Sequence, residues 1–508
     1  MLRFLARRGL VALGILLVLS VMMYAMLDLA LDPLDDLRQS TALNKEELIA
    51  ARIAMLRLDE PWYVRYVDWL GSFVTGDLGM AWRTGQRVND LLVGAIATSV
   101  QLVFSATIIS ILLGCTIGLI SALRQYTSFD YAITFLSFVL YSLPVFWVAV
   151  LLKQFVAIGF NDFLVNPTLN WVVLVLGSIV AGLFWAGAIG GDRRRKLIVF
   201  GTATLVTLGV AAYILTSGWF NEPRLGVVGV AALGVATALG VTVIFSGIAN
   251  KRALYSALTT AVVGVISYYG VIWLFYFFVP DNGMMLGLFA LAIAVAVAIG
   301  WLFGGPDRGV SMRGAAVVAI VMSVAIFIDQ VFATWSVYVN APSIAGRPIA
   351  TIGSQTPNLD GTYFVMQLDR FTHLLLPTIA LVLISFASYT RYQRGSTLEV
   401  LNQDYIRTAR AKGLPERVVI VRHALRNALL PLASIIPLDL IGMIGGAVIT
   451  ETIFGWSGMG KLFIDSMNSS QIDPVMAYVM IVGALAMVAN LVADFLYAIL
   501  DPRIRVNA

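Results

Sequence analysis

The sequence predicts an all-α membrane protein that crosses the bilayer many times. Its mean hydropathy is +0.87, and 59% of its residues are hydrophobic while only 12% are charged. Uncharged runs of about 20 residues, long enough to span the hydrocarbon core as a helix, recur throughout the chain. A membrane β-barrel would instead show alternating segments of about ten residues. We therefore expect a bundle of transmembrane helices.

Twelve stretches are long and apolar enough to form these helices. They lie near 9–29, 97–122, 131–157, 171–190, 197–217, 225–248, 254–279, 284–304, 315–339, 373–390, 431–450 and 475–499. The first follows a basic start, as in a cleaved signal peptide. It is long for a signal peptide and lacks a clear small-residue cleavage site after it, so we interpret it as a retained helix.

Lysine and arginine residues favour one side of this arrangement. If the N-terminus lies in the cytoplasm, 22 of the 34 Lys and Arg residues fall in inner segments and five in the short outer ones. The long outer segment 30–96 carries the rest, and long segments translocate largely regardless of charge. The bias predicts that both termini are cytoplasmic. It also accounts for the pI of about 9.2 without nucleic-acid binding.

Two outer segments and one block of helices complete the predicted organisation. Segment 30–96 contains the helix-like run NKEELIAARIAMLRL, and segment 340–372 is rich in Gly, Pro, Ser and Thr. Both predict water-exposed caps over the membrane part. Between them, residues 158–340 hold six spans rich in small residues, which let helices approach closely in lipid.

One outer motif, GWSGMGKLF at 455–463, has the glycine and lysine spacing of a phosphate-binding P-loop. Leu462 replaces the Ser or Thr that would bind Mg²⁺, and the predicted topology turns the motif away from cytoplasmic ATP. We interpret it as a glycine-rich turn. With His373, His423 and Cys115 as its only histidines and cysteine, the chain offers no zinc site or nucleophile–base arrangement. We expect no enzyme activity, metal or cofactor of its own.

Three acids fall within predicted spans: Asp329, Asp439 and Asp494. Such acids often mark functional sites, and proton-coupled transporters use them. The other interpretation is structural hydrogen bonding, or a wet position near the outer surface for Asp329. A proton-coupled secondary transporter is therefore one alternative. Against it, the two halves of the chain lack the similarity that many such transporters show.

The segment DYIRTARAKGLPERVVIVRHALRNALLP, at 404–431, places six cations and two acids between apolar spans. Gly413 suits the end of one helix, and Pro415 suits the first turn of another. The sequence thus predicts two short helices joined by a glycine turn on the cytoplasmic side. Such a pair could lie on anionic membrane lipid or dock onto a cytoplasmic protein.

This segment resembles the EAA loop of ABC-importer permeases, whose pattern is E-A-A-x3-G-x9-I-x-L-P. Ala409, Gly413 and Leu425 match the pattern. Its remaining positions depart from it, and they are occupied by Arg407, Thr408, His423 and Arg426. The departures are those of one branch, because YIRTARAKGL and RHALRNALLP resemble the B-type permeases of dipeptide and oligopeptide importers.

Further motifs extend the resemblance over roughly 1–157 and 340–508. They are LDEPWYVRYVDWLGSFVTGDLGMAWRTGQRV, LPVFW, GGAVITETIFGWSGMGKL and LVADFLYAILDPRIR, in the order of the family. The block 158–340 has no counterpart in the family pattern. The predicted domains are thus 1–157, an inserted block 158–340, and 341–508 with a coupling loop at 391–430.

The resemblance implies a type I ABC-importer permease core of six helices, with about six helices added, in the inner membrane of a prokaryote. It implies a homologous second permease, cytoplasmic ATPase subunits that hold ATP and Mg²⁺, and an extracytoplasmic binding protein that contacts 30–96, 340–372 and 451–474. Peptides are the implied substrates, with nickel or glutathione as alternatives. The residues implied to couple to the ATPase are Arg407, Thr408, Ala409, Arg410, Lys412, Gly413, Leu414, Arg422, His423 and Leu425.

Overall fold

A computed structural model of the chain describes residues 2–165, 170–305 and 308–500, with the side chains of 2–6, 434, 444–446 and 493–500 left aside. The described residues are almost entirely helical, which confirms the all-α class. Eleven helices are long and apolar enough to cross a membrane, or up to twelve if the bent pair Glu416–Ala433 and Ile435–Met443 counts as one span. Each of the twelve predicted spans overlaps one of these.

The first part of the chain builds an N-terminal helix, an outer cap and the first core helices. Its helices are α1 (Leu2–Ala30), α2 (Asp35–Arg38), α3 (Lys45–Leu56), α4 (Trp62–Val74), α5 (Val88–Leu123), α6 (Ser128–Ser142), α7 (Val145–Leu151) and α8 (Gly159–Val165), with a π-helical segment at Leu152–Ile158. Two short antiparallel strands, β1 (Met80–Ala81) and β2 (Gln86–Arg87), lie in the cap. The sequence did not predict this hairpin.

The predicted third span, 131–157, is wrong as a single helix. α6 ends at Ser142, and a second helical segment begins at Val145 and runs to Val165. Leu143 adopts an extended conformation (ψ 129°), because the ring of Pro144 disfavours the helical conformation of the residue before it.

The middle part contains the six long helices of the predicted inserted block. They are α9 (Trp171–Ile189), α10 (Arg193–Thr216), α11 (Gly226–Phe245), α12 (Lys251–Phe277), α13 (Asn282–Phe303) and α14 (Arg308–Phe332), with a 3₁₀ turn at Trp219–Asn221. Small residues set their packing: the thioether of Met322 fills the space over Gly234 and Gly264. Van der Waals contact between closely approaching helices is the main attraction available in lipid.

The last part returns to the core. Its helices are α15 (Trp335–Val339), α16 (Tyr363–Leu401), α17 (Asp404–Ala411), α18 (Glu416–Val418), α19 (Arg426–Ala428), α20 (Leu430–Gly446), α21 (Val448–Phe454), α22 (Met459–Asn468) and α23 (Ile472–Leu500), with a π-helical segment at Val419–Leu425. The two longest helices, α5 and α16, pack along each other at the centre. Gly114 and Gly118 leave room there for the backbone of Tyr389 and Thr390.

The outer cap packs against the first and the last membrane-spanning helix, α1 and α23. α4 packs on α1 through Tyr24, Tyr66 and Trp69, and the Tyr66 hydroxyl lies 2.9 Å from that of Ser20. In the hairpin, the amide of Met80 donates to the carboxylate of Asp473 (3.3 Å) at the start of α23. The cap is thus fixed to the first and the last span at once.

Candidate functional site

The predicted helix–turn–helix segment forms two short helices, here called the basic helix pair (residues 404–428). The first helix is α17. The second runs from Glu416 to Ala428 through α18, the π-helical segment and α19. The pair follows α16 directly and precedes α20, so it joins two membrane-crossing segments.

Gly413 forms the turn between the two helices. Its φ is +72°, in the left-handed region that favours glycine. The Gly413 amide donates to the carbonyl of Arg410 (2.9 Å), and the Leu414 amide donates to that of Ala409 (3.4 Å). These two bonds are the Schellman pattern that ends a helix. A Cβ at Gly413 would meet open space, so the backbone conformation is what requires glycine.

The inner face of the basic helix pair is a small apolar cluster. It contains Ile406, Ala409, Val419 and Ala424, packed against the end of α16. Ala409 is only 6% exposed. Ala409, one of the residues implied to couple to the ATPase, lies between the two helices, where a larger side chain would force them apart.

The outer face carries most of the predicted coupling residues. Seven of the ten are exposed: Arg407, Thr408, Arg410, Lys412, Gly413, Leu414 and Arg422. His423 and Leu425 are half-buried. Such a surface can bind an acidic partner or anionic lipid.

Two ion pairs lie on this face. Arg410 donates two hydrogen bonds to Glu416 (Nη2 to Oε1 2.7 Å, Nε to Oε2 3.2 Å). Nη1 of Arg407 lies 3.4 Å from Oδ1 of Asp404. Both pairs are exposed and therefore contribute little to stability. Among the described residues, Lys412 and Arg422 form no ion pair.

Hydrogen bonds fix the basic helix pair to itself and to α16. The Ser396 hydroxyl donates to the carbonyl of Ala428 (2.9 Å), and the Asn427 amide donates to the Tyr405 hydroxyl (3.0 Å). The first bond joins the pair to the membrane helix before it, and the second joins its two helices. The basic helix pair is therefore hydrogen-bonded to α16 as well as within itself.

Two residues before Ser396 on α16, Arg394 binds Asp130 at the start of α6. Its Nε and Nη2 lie 2.6 and 2.8 Å from the two carboxylate oxygens. The Ser121 hydroxyl of α5 donates to the same carboxylate (2.5 Å), and Asp130 is 1% exposed. Three core helices thus meet at one buried ion pair on the predicted cytoplasmic side. The sequence analysis missed it, although an acid just ahead of an apolar span could have drawn attention to Asp130.

On the predicted outer side, the P-loop-like motif binds a side chain of its own chain. The amides of Gly460 and Lys461, at the start of α22, donate to Oε2 of Glu451 (2.7 and 3.1 Å). The Ser99 hydroxyl donates to Oε1 (2.5 Å). A helix N-terminus suits an anion, and here the anion is Glu451, which is fully buried. Burial raises the pKa of the Glu451 carboxyl, and these hydrogen bonds offset only part of the rise.

A second buried acid holds the outer segment before α16. Asp369 accepts hydrogen bonds from the hydroxyl and the amide of Thr356 (2.5 and 2.9 Å) and from the Tyr338 hydroxyl (3.2 Å). His373 Nδ1 lies 2.9 Å from the Gly353 carbonyl oxygen. Because both Thr356 and Asp369 face Nε2 of His373, this is not a relay of nucleophile, base and acid. These hydrogen bonds instead hold the segment around Gly353 and Thr356 against α16.

The three acids predicted within spans fall in different surroundings. Asp329 is fully buried and accepts from the Tyr268 hydroxyl and the Gly226 amide (both 2.8 Å), with Arg224 3.7 Å away. These contacts are structural hydrogen bonds, and the full burial of the side chain does not fit the wet position expected for Asp329. Asp439 is half-buried in α20 and faces Tyr389 of α16. Asp494 lies outside the residues whose side chains are described.

Comparison with known proteins settles the family. Residues 114–506 match the family described as the binding-protein-dependent transport system inner membrane component. This match covers more than half of the chain. The chain belongs to this family. It is therefore a multi-pass inner-membrane component of a binding-protein-dependent transport system.

Several named relatives are peptide permeases. The oligopeptide transport system permease protein AppB of Bacillus subtilis is 49% identical over 154 residues, which are 30% of this chain and 48% of that protein. The corresponding OppB of Mycobacterium tuberculosis is 42% identical over 155 residues, 30% of this chain and 48% of that protein. The dipeptide transport system permease protein DppB of Escherichia coli is 45% identical over 138 residues, 27% and 41% of the two chains. The matched stretch thus spans about half the length of each relative.

Proposed function

We propose that the chain is one of two homologous permease subunits of an ATP-driven peptide importer. The basic helix pair carries this proposal, because it presents exposed cations on a short helical element that is bonded to α16. ATPase subunits would bind ATP and Mg²⁺ on the cytoplasmic side, where we also place both chain termini. A binding protein would deliver substrate to the outer segments 30–96, 340–372 and 451–474.

The contacts support a mechanical role for the basic helix pair. Closure of two ATPases around ATP would push on the exposed face that includes Arg407 and Arg410. The Ser396–Ala428 hydrogen bond transmits the push to α16. The Arg394–Asp130 pair then carries it to α5 and α6. The core helices would rock as one unit and open the pathway alternately to the two sides.

Peptides are the proposed substrates because the named relatives are oligopeptide and dipeptide permeases. Nickel and glutathione are the competing substrates. Uptake of a labelled dipeptide or oligopeptide that neither nickel nor glutathione reduces would support the peptide assignment. Uptake of only nickel or glutathione would overturn it while leaving the importer assignment intact.

We further propose three domains: core residues 1–157, the inserted block 158–340, and core residues 341–508 with the coupling loop 391–430. The block would be an accessory part on the lipid side of the core. The proton-coupled alternative gains no support from Asp329, because a Tyr hydroxyl, a backbone amide and an arginine already surround its carboxylate.

Purification from the native membrane in mild detergent tests the importer assignment. We expect a second permease and ATP-hydrolysing subunits to accompany the tagged chain. Their loss in a Gly413→Glu variant would assign the contact to the basic helix pair. A single chain without partners or ATPase activity would overturn the proposal.

A further inference from the structure

The inserted block contains a long groove of about 690 Å³ between α12 and α13, with α14 as its floor. Its lining on α12 runs from Thr260 to Phe275, which at 1.5 Å per residue is about 22 Å. Half of the hydrocarbon core of a bilayer is about 15 Å thick. The groove therefore extends farther than one leaflet.

The groove is open on one side. Leu286 and Leu291 of α13 line it, yet they are 70% and 59% exposed. Deeper in, small side chains such as Ala292 and Ala296 leave space between the helices. In a membrane-embedded block, the surroundings of such an opening are lipid chains.

The lining carries no charged residue. The hydroxyls of Thr260 and Ser267 donate to carbonyls of their own helix, so they present little polarity to a ligand. Polar groups collect at one end, where the Tyr363 hydroxyl donates to Asn282 and Gln330 also lines the groove. Among the described residues, the buried amide nitrogen of Gln330 has no hydrogen-bond acceptor.

We propose that this groove binds one acyl chain of a membrane phospholipid, with the ester region beside Gln330. An apolar site excludes water and ions, whereas a hydrocarbon chain gains contacts along the whole groove. An ester carbonyl is an acceptor that suits the unpaired amide. In the proposed orientation, the Gln330 end lies in the outer leaflet.

The placement of polar groups argues for a lipid rather than a protein helix as the occupant. The unpaired amide of Gln330 lies at one end of a mainly apolar lining, where the ester region of a lipid would meet it, whereas the backbone carbonyls of a transmembrane helix are already hydrogen-bonded within the helix. A single chain is thin enough to enter between the exposed leucines. The site would therefore hold a lipid rather than a further subunit.

Lipid retention by the purified transport complex tests this proposal. The complex is delipidated in detergent, incubated with vesicles of palmitoyl-oleoyl phosphatidylethanolamine, and weighed by native mass spectrometry. We expect one retained lipid per chain. Ala292→Trp fills the groove and should lower retention about tenfold, which corresponds to about 1.4 kcal/mol of binding free energy.

Ala294→Trp is the matched control, because Ala294 lies on the same helix, is exposed and does not line the groove. It should leave retention unchanged. Ala292→Leu serves if the tryptophan variant fails to fold, and Gln330→Leu should weaken retention without filling the groove. Equal retention in all these variants, or none in the wild type, would overturn the proposal. A photocrosslinker at position 292 that captures a protein instead of lipid would also overturn it.

Discussion

The permease core and the inserted block hold their helices together by different means. The core uses buried polar links between distant segments: Ser99 and Glu451 are 352 residues apart, and Asp130 and Arg394 are 264 apart. The block relies mainly on small residues and close packing, with Met322 fitted over two glycines, and its buried polar link at Asp329 joins segments 61 and 103 residues apart. Polar links fix direction and register, whereas apolar contacts mainly supply attraction. A region that must transmit motion therefore needs buried polar links.

The largest expected difference in transport activity concerns one glycine of each region whose backbone adopts the left-handed conformation. Gly413 (φ +72°) and Gly218 (φ +70°) are both exposed, and one belongs to each region. Glutamate at either position should cost about 1–3 kcal/mol of backbone strain. We expect Gly413→Glu to abolish transport and Gly218→Glu to leave it intact, as measured by labelled-peptide uptake at equal membrane levels.

Gly413→Ala separates the strain from the added charge. It should reduce uptake less than Gly413→Glu does. Normal uptake in the Gly413→Glu cells would contradict the coupling role of the basic helix pair.

The next difference concerns two buried aspartates that each have an arginine partner. Asp130→Asn leaves Arg394 without its carboxylate, and we expect a loss of about 2–3 kcal/mol, reduced from the fully buried case because Arg394 is partly exposed. Asp329→Asn should cost about 1 kcal/mol, since Arg224 is more exposed, the Gly226 amide can keep the side-chain oxygen, and the Tyr268 hydroxyl can turn to accept from the new NH₂ group. Thermal unfolding in detergent measures both.

A double variant, Asp130→Asn with Arg394→Gln, provides the control. If the two residues act as a pair, its loss should be smaller than the sum of the single losses. An equal loss for Asp130→Asn and Asp329→Asn would remove the distinction between core and block.

Glu451 predicts a pH dependence confined to the core. Its folded-state pKa is raised above the ordinary 4.5, so the folded state holds the proton more tightly than the unfolded one. This contribution to stability is full below pH 4.5 and is lost as the pH rises through the raised folded-state value. Glu451→Gln should abolish this part of the pH profile and cost about 1 kcal/mol at neutral pH, because a neutral amide oxygen accepts the Gly460 and Lys461 N–H groups less strongly than a carboxylate does.

Melting curves of wild type and Glu451→Gln between pH 4 and 8 would measure this effect. Asp329→Asn is the control, and it should leave the Glu451 part of the profile in place. A profile that Glu451→Gln leaves unchanged would contradict the assignment.

The smallest expected effect lies where the two regions meet. The guanidinium of Arg124, at the end of α5, donates to the carbonyls of Ala188 and Ile189 at the end of α9. A cation at a helix C-terminus contributes about 0.3–1 kcal/mol. Arg124→Gln should therefore loosen this contact only slightly, seen as faster amide exchange near Gly190.

Arg308→Gln is the matched control, because Arg308 stacks on Trp301 within the block. It should leave exchange near Gly190 unchanged. Faster exchange there in both variants would mean that the Arg124 contact is not specific.

Local features of the fold could be predicted from sequence, and long-range ones could not. Apolar run length located the spans, and Gly413 with Pro415 predicted the turn of the basic helix pair. The partners of Glu451 and Asp130 lie hundreds of residues away, and periodicity contains no information about which helices meet. For the same reason the contact of Ala409 with the second helix of the pair could not be predicted, since the pattern of one helix does not identify the helix that packs on it. Pro144 indicates a helix break in the sequence, but the length of the apolar run favoured one continuous span over 131–157.

Asn161 of α8 joins the two chain segments that flank helices α9 to α14. Its side chain donates to the carbonyl of Ile349 (2.9 Å) and accepts from the same residue's amide (3.0 Å). Helices α9 to α14 lie in sequence between these two residues. The chain segments before and after these helices are therefore hydrogen-bonded to each other directly. An even number of crossings also preserves the direction of every later helix. Topologically, helices α9 to α14 form a closed excursion, so a chain without them would keep the order and direction of its other helices.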